Sequence, residues 1–143
     1  MPACYQSIVI AAPIERVWDT IKNFHDFSWA ENLIDRCEAV GDLGGTEVGA
    51  KRILYGLFHE TLLECNTADR RIRYSIDNGP SPVSPQEVKN YVGVIKLRPV
   101  TLSASTFVEW SSSWESQSEA ARDFCHQIYV SLLKSLAQTL EQL

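Results

Sequence analysis

A chain of 143 residues, 45% hydrophobic and 22% charged, has the size and make-up of an ordinary globular domain, which excludes a disordered chain. A formal net charge of -5 without any basic run argues against nucleic acid and anionic lipid as partners. No stretch approaches the roughly 18 consecutive apolar residues of a spanning helix, and Met1-Pro2-Ala3-Cys4 has neither the basic nor the apolar part of a secretion signal. A cytoplasmic protein without membrane insertion is therefore expected.

Residues 6–10 run into Ser7-Ile8-Val9-Ile10 and stop at Ala11-Ala12-Pro13, the pattern of a strand ended by proline. Pro13 is predicted at the first position of a helix, where its missing N–H costs nothing. Ile14, Val17, Trp18 and Ile21 then form one helical face, with Glu15, Arg16, Asp19 and Lys22 on the other. Phe24, Phe27 and Trp29 follow in a polar setting that predicts a second, irregular helical turn. Phe24 is expected in the core, and Trp29 at the rim of a cavity, since tryptophan suits places apolar at one end and wet at the other.

From Asp35 the pattern turns to β, with Arg36 to Val40, the turn Gly41-Asp42-Leu43-Gly44-Gly45, and Lys51 to Tyr55. Those glycines do not form a phosphate loop, because no G-K-[ST] follows and the segment opens a strand. Runs at 58–65, 71–76, 88–97 and 101–114 follow, separated by Asn66 to Asp69, by Asn78-Gly79-Pro80-Ser81-Pro82 and by Pro99. Turns this short leave no room for crossover helices and predict an antiparallel meander. The chain closes on an amphipathic helix. A Ser-x-x-Glu capping box, Ser116 to Glu119, precedes Ala121, Phe124, Cys125, Ile128, Leu132, Leu136, Thr139 and Leu143, which recur at steps of three and four.

Cys4, Cys37, Cys65 and Cys125 are far apart with no C-x-x-C pair, so reduced, buried thiols are predicted rather than a disulfide frame or a zinc site. Neither a metal nor a cofactor is expected. No Ser-His or Cys-His arrangement and no G-x-S-x-G elbow is present, which disfavours nucleophilic hydrolysis.

One strand, two short helices, a six-strand meander and a long terminal helix resemble the START-like helix-grip superfamily. The local motifs are similar to its polyketide cyclase/dehydrase branch. The residues that carry the likeness are Ala11 to Trp18, Phe24 to Trp29, Val48-Gly49-Ala50-Lys51-Arg52 with Glu60-Thr61-Leu62, and Phe107-Val108-Glu109-Trp110. The resemblance implies an α+β fold in one domain over residues 1–143, a curved sheet of about seven strands wrapped on the C-terminal helix. It also implies a ligand cavity between the two.

Strand alternation then assigns that cavity's wall: Arg52 and Leu54; Glu60, Leu62 and Glu64; Ile72, Tyr74 and Ile76; Tyr91, Gly93 and Ile95; Val108, Trp110, Ser112 and Trp114. The helix adds Phe124 and Ile128. Arg52 and Glu60 share the apolar face on adjacent strands, and a buried guanidinium and carboxylate must pair with each other or bind something charged. Either they anchor a ligand oxygen, with Glu60 as hydrogen-bond acceptor or base, or they are a cross-strand ion pair that fixes register. Lachrymatory-factor synthase has a similarly spaced pair, but its loops are longer, so the resemblance does not extend to its activity.

The expected role is binding of a small hydrophobic or aromatic, polyketide- or lipid-like molecule. Trp29, Leu54, Leu62, Tyr74, Tyr91, Trp110, Phe124 and Ile128 are the candidate ligand contacts, and Arg52 and Glu60 the anchor. The alternative is a cyclase, dehydratase or isomerase of a carbonyl compound, with Glu60 as base and Arg52 as electrophile. An interaction module has least support, since no long apolar edge or charge block occurs. A monomer or homodimer fits the composition, and the proline-rich segment Asn78 to Gln86 is a stiff candidate lid.

Overall fold

The computed structural model describes residues 3–116 and 119–141. Seven strands form a single antiparallel sheet: β1 (Ala3–Ile10), β2 (Cys37–Val40), β3 (Lys51–Leu54), β4 (Phe58–Asn66), β5 (Arg71–Asn78), β6 (Lys89–Val100) and β7 (Ser105–Glu115). Their order is β1-β7-β6-β5-β4-β3-β2, so six consecutive strands make a meander and β1 closes onto the last of them. Helix α1 (Ile14–Ile21) and a single 3-10 turn at Ser28–Ala30 are inserted after β1, and α2 (Ala120–Glu141) ends the chain. This is the α+β helix-grip architecture that the order of elements predicts.

Local chemistry explains most of the boundaries. Pro13 stands one place earlier than expected, as the residue capping α1, and its carbonyl accepts the N–H groups of Arg16 and Val17. Val17, Trp18 and Ile21 bury the apolar face of that helix. The second expected helix is the 3-10 turn alone. Pro99 does not end a strand: β6 runs on to Val100, with Pro99 paired to Thr106, and residues 101–103 make a 3-10 turn rather than the start of β7. The chain reverses at Ala104, whose φ of 51° is left-handed.

Helix α2 has 22 residues, about 33 Å at the standard rise. The expected capping box includes residues 117 and 118, which lie outside the described residues, as does Leu143. The helix packs along β1 and against the 3-10 turn, where Thr139 Oγ1 donates to the Trp29 carbonyl at 2.8 Å. Its buried side is Ala121, Cys125, Tyr129, Leu132, Leu133, Ser135, Leu136, Ala137 and Leu140. Each buried leucine among these contributes roughly 1.5–3 kcal/mol of transfer free energy. Phe124 and Ile128 are only half-buried, and Thr139 is exposed.

Two irregularities re-aim side chains. In β4 the register shifts between Leu62 and Glu64, a bulge that adds one residue and reverses the faces beyond it. Glu64, assigned by alternation to the inner wall, instead lies on the outside, where Arg71 donates to it at 2.8 and 3.0 Å. Cys65 takes the core side. A second shift between His59 and Glu60 leaves Asp77 of β5 unpaired opposite them. All four cysteines are free thiols, and no helix among the described residues is long and apolar enough to cross a membrane.

Candidate functional site

The site begins with a tight turn. Tyr55 and Gly56 both have positive φ, 56° and 69°, and the Leu57 N–H donates to the Leu54 carbonyl at 2.9 Å. Two successive left-handed residues match the natural twist of a hairpin. That turn puts Arg52 of β3 directly opposite Glu60 of β4.

The two side chains are 8% and 6% exposed. Arg52 Nε donates to Glu60 Oε1 at 2.8 Å, and its Nη2 stands 2.6 Å from the same oxygen. Nη1 donates to the Phe24 carbonyl at 2.9 Å. The guanidinium lies 3.7 Å from the centroid of the Phe24 ring and 4.7 Å from that of Phe27. Aromatic faces and a carbonyl thus replace the water that Arg52 gives up. Both guanidinium contacts fall on Oε1, and Glu60 Oε2 has no hydrogen bond among the described residues. Burial pushes the Glu60 carboxyl above the ordinary carboxylate range; the charge and hydrogen bond of Arg52 pull it down, and Asp77 adds a smaller push upward.

Beside this pair opens a cavity of about 400 Å³ between the sheet and α2. Phe27, Leu54, Phe58, Ile76, Phe124 and Ile128 give it apolar walls, and Val83 reaches into it from the loop between β5 and β6. The rings of Phe58 and Phe124 stack with centroids 6.3 Å apart. Tyr55, Gln127 and Ser131, all exposed, mark its mouth between the β3–β4 turn and the outer side of α2. A volume of this size falls in the range of small-molecule pockets.

A second polar feature adjoins the ion pair, the Tyr74 ring centroid being 5.5 Å from the Arg52 guanidinium. Trp110 Nε1 donates to Tyr74 Oη at 3.0 Å, and Tyr74 Oη is 2.7 Å from Tyr129 Oη. Tyr129 Oη in turn bonds Tyr91 Oη, which donates to Cys125 Sγ at 3.4 Å. Burial raises all three phenols well above their usual range and pushes the Cys125 thiol up to about 11, so every group in the chain is neutral. The Trp110 and Tyr129 rings stack at 4.6 Å, and Tyr91 stacks on Trp114 at 5.4 Å.

Among the sequence-derived candidates, Arg52, Glu60, Leu54, Tyr74, Trp110, Phe124 and Ile128 come together around the cavity. Leu62 and Tyr91 face inward but are not among its lining residues, and Tyr91 stands behind Tyr129. Trp29 is buried against Phe27 at 5.1 Å and borders a separate hollow of about 20 Å³. Phe24, expected as plain core, forms the floor beneath Arg52. Tyr129 was not a candidate, although its place four residues after Cys125 and three before Leu132 is the helical signal that puts it on the buried face. His59 lies on the outer side of the sheet, while half-buried His25 bonds the Lys51 carbonyl and exposed His126 bonds Gln6.

A bent antiparallel sheet gripping one long C-terminal helix around an internal hollow defines a domain of the START-like helix-grip class. The family model described as polyketide cyclase/dehydrase and lipid transport matches residues 1–141, and the chain belongs to that family. A solved protein from Nitrosospira multiformis is 54% identical, with 97% of this chain and 96% of that one covered and a TM-score of 0.95. The protein XoxI from Bacillus cereus is 27% identical over 98% of this chain and 96% of its own, with a TM-score of 0.78. A protein from Thermobifida fusca, 22% identical over 99% and 95% with a TM-score of 0.83, shares the fold. No curated protein matches the chain.

Proposed function

We propose that the cavity takes a small, largely apolar or aromatic molecule of the polyketide or lipid kind, seated with a polar group toward Arg52 and Glu60. The observation that carries this is a 400 Å³ hollow with mostly hydrocarbon walls and a single buried ion pair. An apolar hollow of that size binds guests by dispersion and exclusion of water, while a few convergent polar groups fix their orientation. Leu54, Tyr74, Trp110, Phe124 and Ile128 are the contacts, with Leu62 and Tyr91 supporting the wall from behind. Family membership points to the same class of hydrophobic ligand. Native mass spectrometry of protein isolated from its own host tests this, and a bound molecule of matching volume is the expected result. Protein that always arrives empty, and that no aromatic or polyketide-like compound stabilises against heat, would refute it.

A second reading is favoured by one observation, the open Oε2 of Glu60. A carboxylate held through one oxygen, with burial raising its proton affinity, is arranged to remove a proton next to a carbonyl that Arg52 polarises. Cyclisation, dehydration or isomerisation would follow from that step. Full turnover by Glu60→Gln, on any substrate the wild-type protein converts, would exclude Glu60 as the base.

A further inference from the structure

The chain Trp110, Tyr74, Tyr129, Tyr91 and Cys125 has a property that follows from counting hydrogens. An indole N–H only donates, while each phenol has one hydrogen to give and lone pairs to receive with. Four contacts join the five groups, and the groups hold five hydrogens, so along the chain itself one is left over. Trp110 must donate to Tyr74. With Tyr91 donating to Cys125, the order runs indole to Tyr74, Tyr74 to Tyr129, Tyr129 to Tyr91, Tyr91 to sulfur, and the spare hydrogen is on the thiol. If all three phenols turn together, the thiol donates to Tyr91, Tyr91 to Tyr129 and Tyr129 to Tyr74. The spare hydrogen is then the Tyr74 O–H. Turning Tyr74 alone would leave two oxygens facing each other at 2.7 Å with no hydrogen between them. Reversal is therefore concerted.

The charges around the cavity supply the other half. Arg52 is the one cation among the described residues that line it, and Glu60 already matches its charge. An entering carboxylate would meet no net positive charge and would approach a second carboxylate. Its lost hydration would go uncompensated, a cost larger than a hydrogen bond returns.

We infer that this cavity selects neutral molecules carrying an accepting oxygen, such as a ketone or ester, over anionic ones, and that Tyr74 donates its O–H to that oxygen through reversal of the chain behind it. The inference rests on the reading of the cavity as a ligand site. It makes Tyr129 a positioning residue, because Tyr129 either takes the Tyr74 hydrogen or releases it.

Three naphthalenes of nearly equal shape provide the test, titrated by calorimetry at pH 7.5: 2-ethylnaphthalene, 2-acetylnaphthalene and 2-naphthoate. The ketone should bind about tenfold tighter than the hydrocarbon, the worth of one good hydrogen bond, and the carboxylate roughly a hundredfold more weakly than the ketone. The carbonyl stretch of bound 2-acetylnaphthalene should fall in frequency with the wild-type protein and return in Tyr74→Phe. Tyr129→Phe removes the internal acceptor, so it should raise ketone affinity severalfold and widen the ketone's advantage over the hydrocarbon. Carboxylate binding as tight as the ketone, or a ketone advantage that survives Tyr74→Phe, would overturn the inference while leaving a ligand cavity in place. Lower ketone affinity in Tyr129→Phe would overturn the reversal. Failure of all three compounds to bind would refute the ligand site and the inference together.

Discussion

Replacing Arg52 by methionine isolates what the buried pair contributes. Methionine keeps much of the side-chain volume over the Phe24 ring but removes every hydrogen bond to Glu60 Oε1 and to the Phe24 carbonyl. Glu60 is then a carboxylate with 6% exposure and no cation beside it. Stranding one member of a buried pair costs about 3–5 kcal/mol, or about 10–15 °C in Tm for a domain of this size. The loss depends on pH, and the sign is fixed by Glu60. Burial already raises its carboxyl above the ordinary value, and Arg52 is the chief opposing influence, so removing Arg52 raises it further. A carboxyl that binds its proton more tightly folded than unfolded is stabilising below its unfolded pKa, and that stability is lost as pH rises through the folded value. Urea unfolding followed by tryptophan fluorescence should therefore show the full deficit at pH 7.5 and a smaller one at pH 5. Arg52→Met combined with Glu60→Gln should recover most of the loss and flatten its pH dependence. A deficit below about 1 kcal/mol that is equal at both pH values would mean that the pair is solvated rather than buried.

Three further outcomes are expected. Gly93 faces Tyr74 across β5 and β6, where an added Cβ would lie 2.6 Å from Tyr74 Cε1, so Gly93→Ala should cost about 1–3 kcal/mol by displacing the ring and should abolish uptake of 2-acetylnaphthalene. The half-buried Arg71 holds the Glu64 carboxyl down at about 2, which stabilises the fold above the unfolded carboxyl value of about 4.3 and ceases to as pH falls toward 2. Because water screens that pair, Glu64→Gln should cost less than about 1 kcal/mol at pH 7 in urea unfolding. Cys4 and Cys125, 3% and 4% exposed with raised thiol pKa values, should react with a disulfide reagent at pH 8 only on unfolding, while half-buried Cys37 and Cys65 react sooner.

The parts of the site that sequence made legible are those governed by period. Alternation along two strands joined by a short turn is enough to set Arg52 opposite Glu60, and the same period turns Leu54, Tyr74 and Trp110 inward. Period gives the face of a sheet but not the depth or the extent of a hollow. Leu62 and Tyr91 accordingly point inward without touching the cavity. One extra residue is invisible to alternation, and the bulge before Glu64 moved that carboxylate to the outside. Trp29 was assigned by its amphipathic character, which the backbone overrode: its carbonyl is tied to Thr139, and its ring is held against Phe27. Tyr129 was legible in principle, since residues 121, 125, 129, 132 and 136 follow the helical step, but a stripe that included Phe124 and Ile128 hid it. The hydrogen-bond chain through Tyr129 depends on side chains from three strands and a helix meeting, which no local pattern encodes.

The hollow itself is most directly tested with xenon, which enters dry apolar cavities and makes no hydrogen bonds. Xenon titrated into isotope-labelled protein should give saturable shifts confined to the methyl and ring signals of Leu54, Ile76, Phe124 and Ile128, and Ile128→Trp should abolish them. Shifts that grow linearly without saturating, or that scatter over surface residues, would mean that the space between sheet and helix is filled.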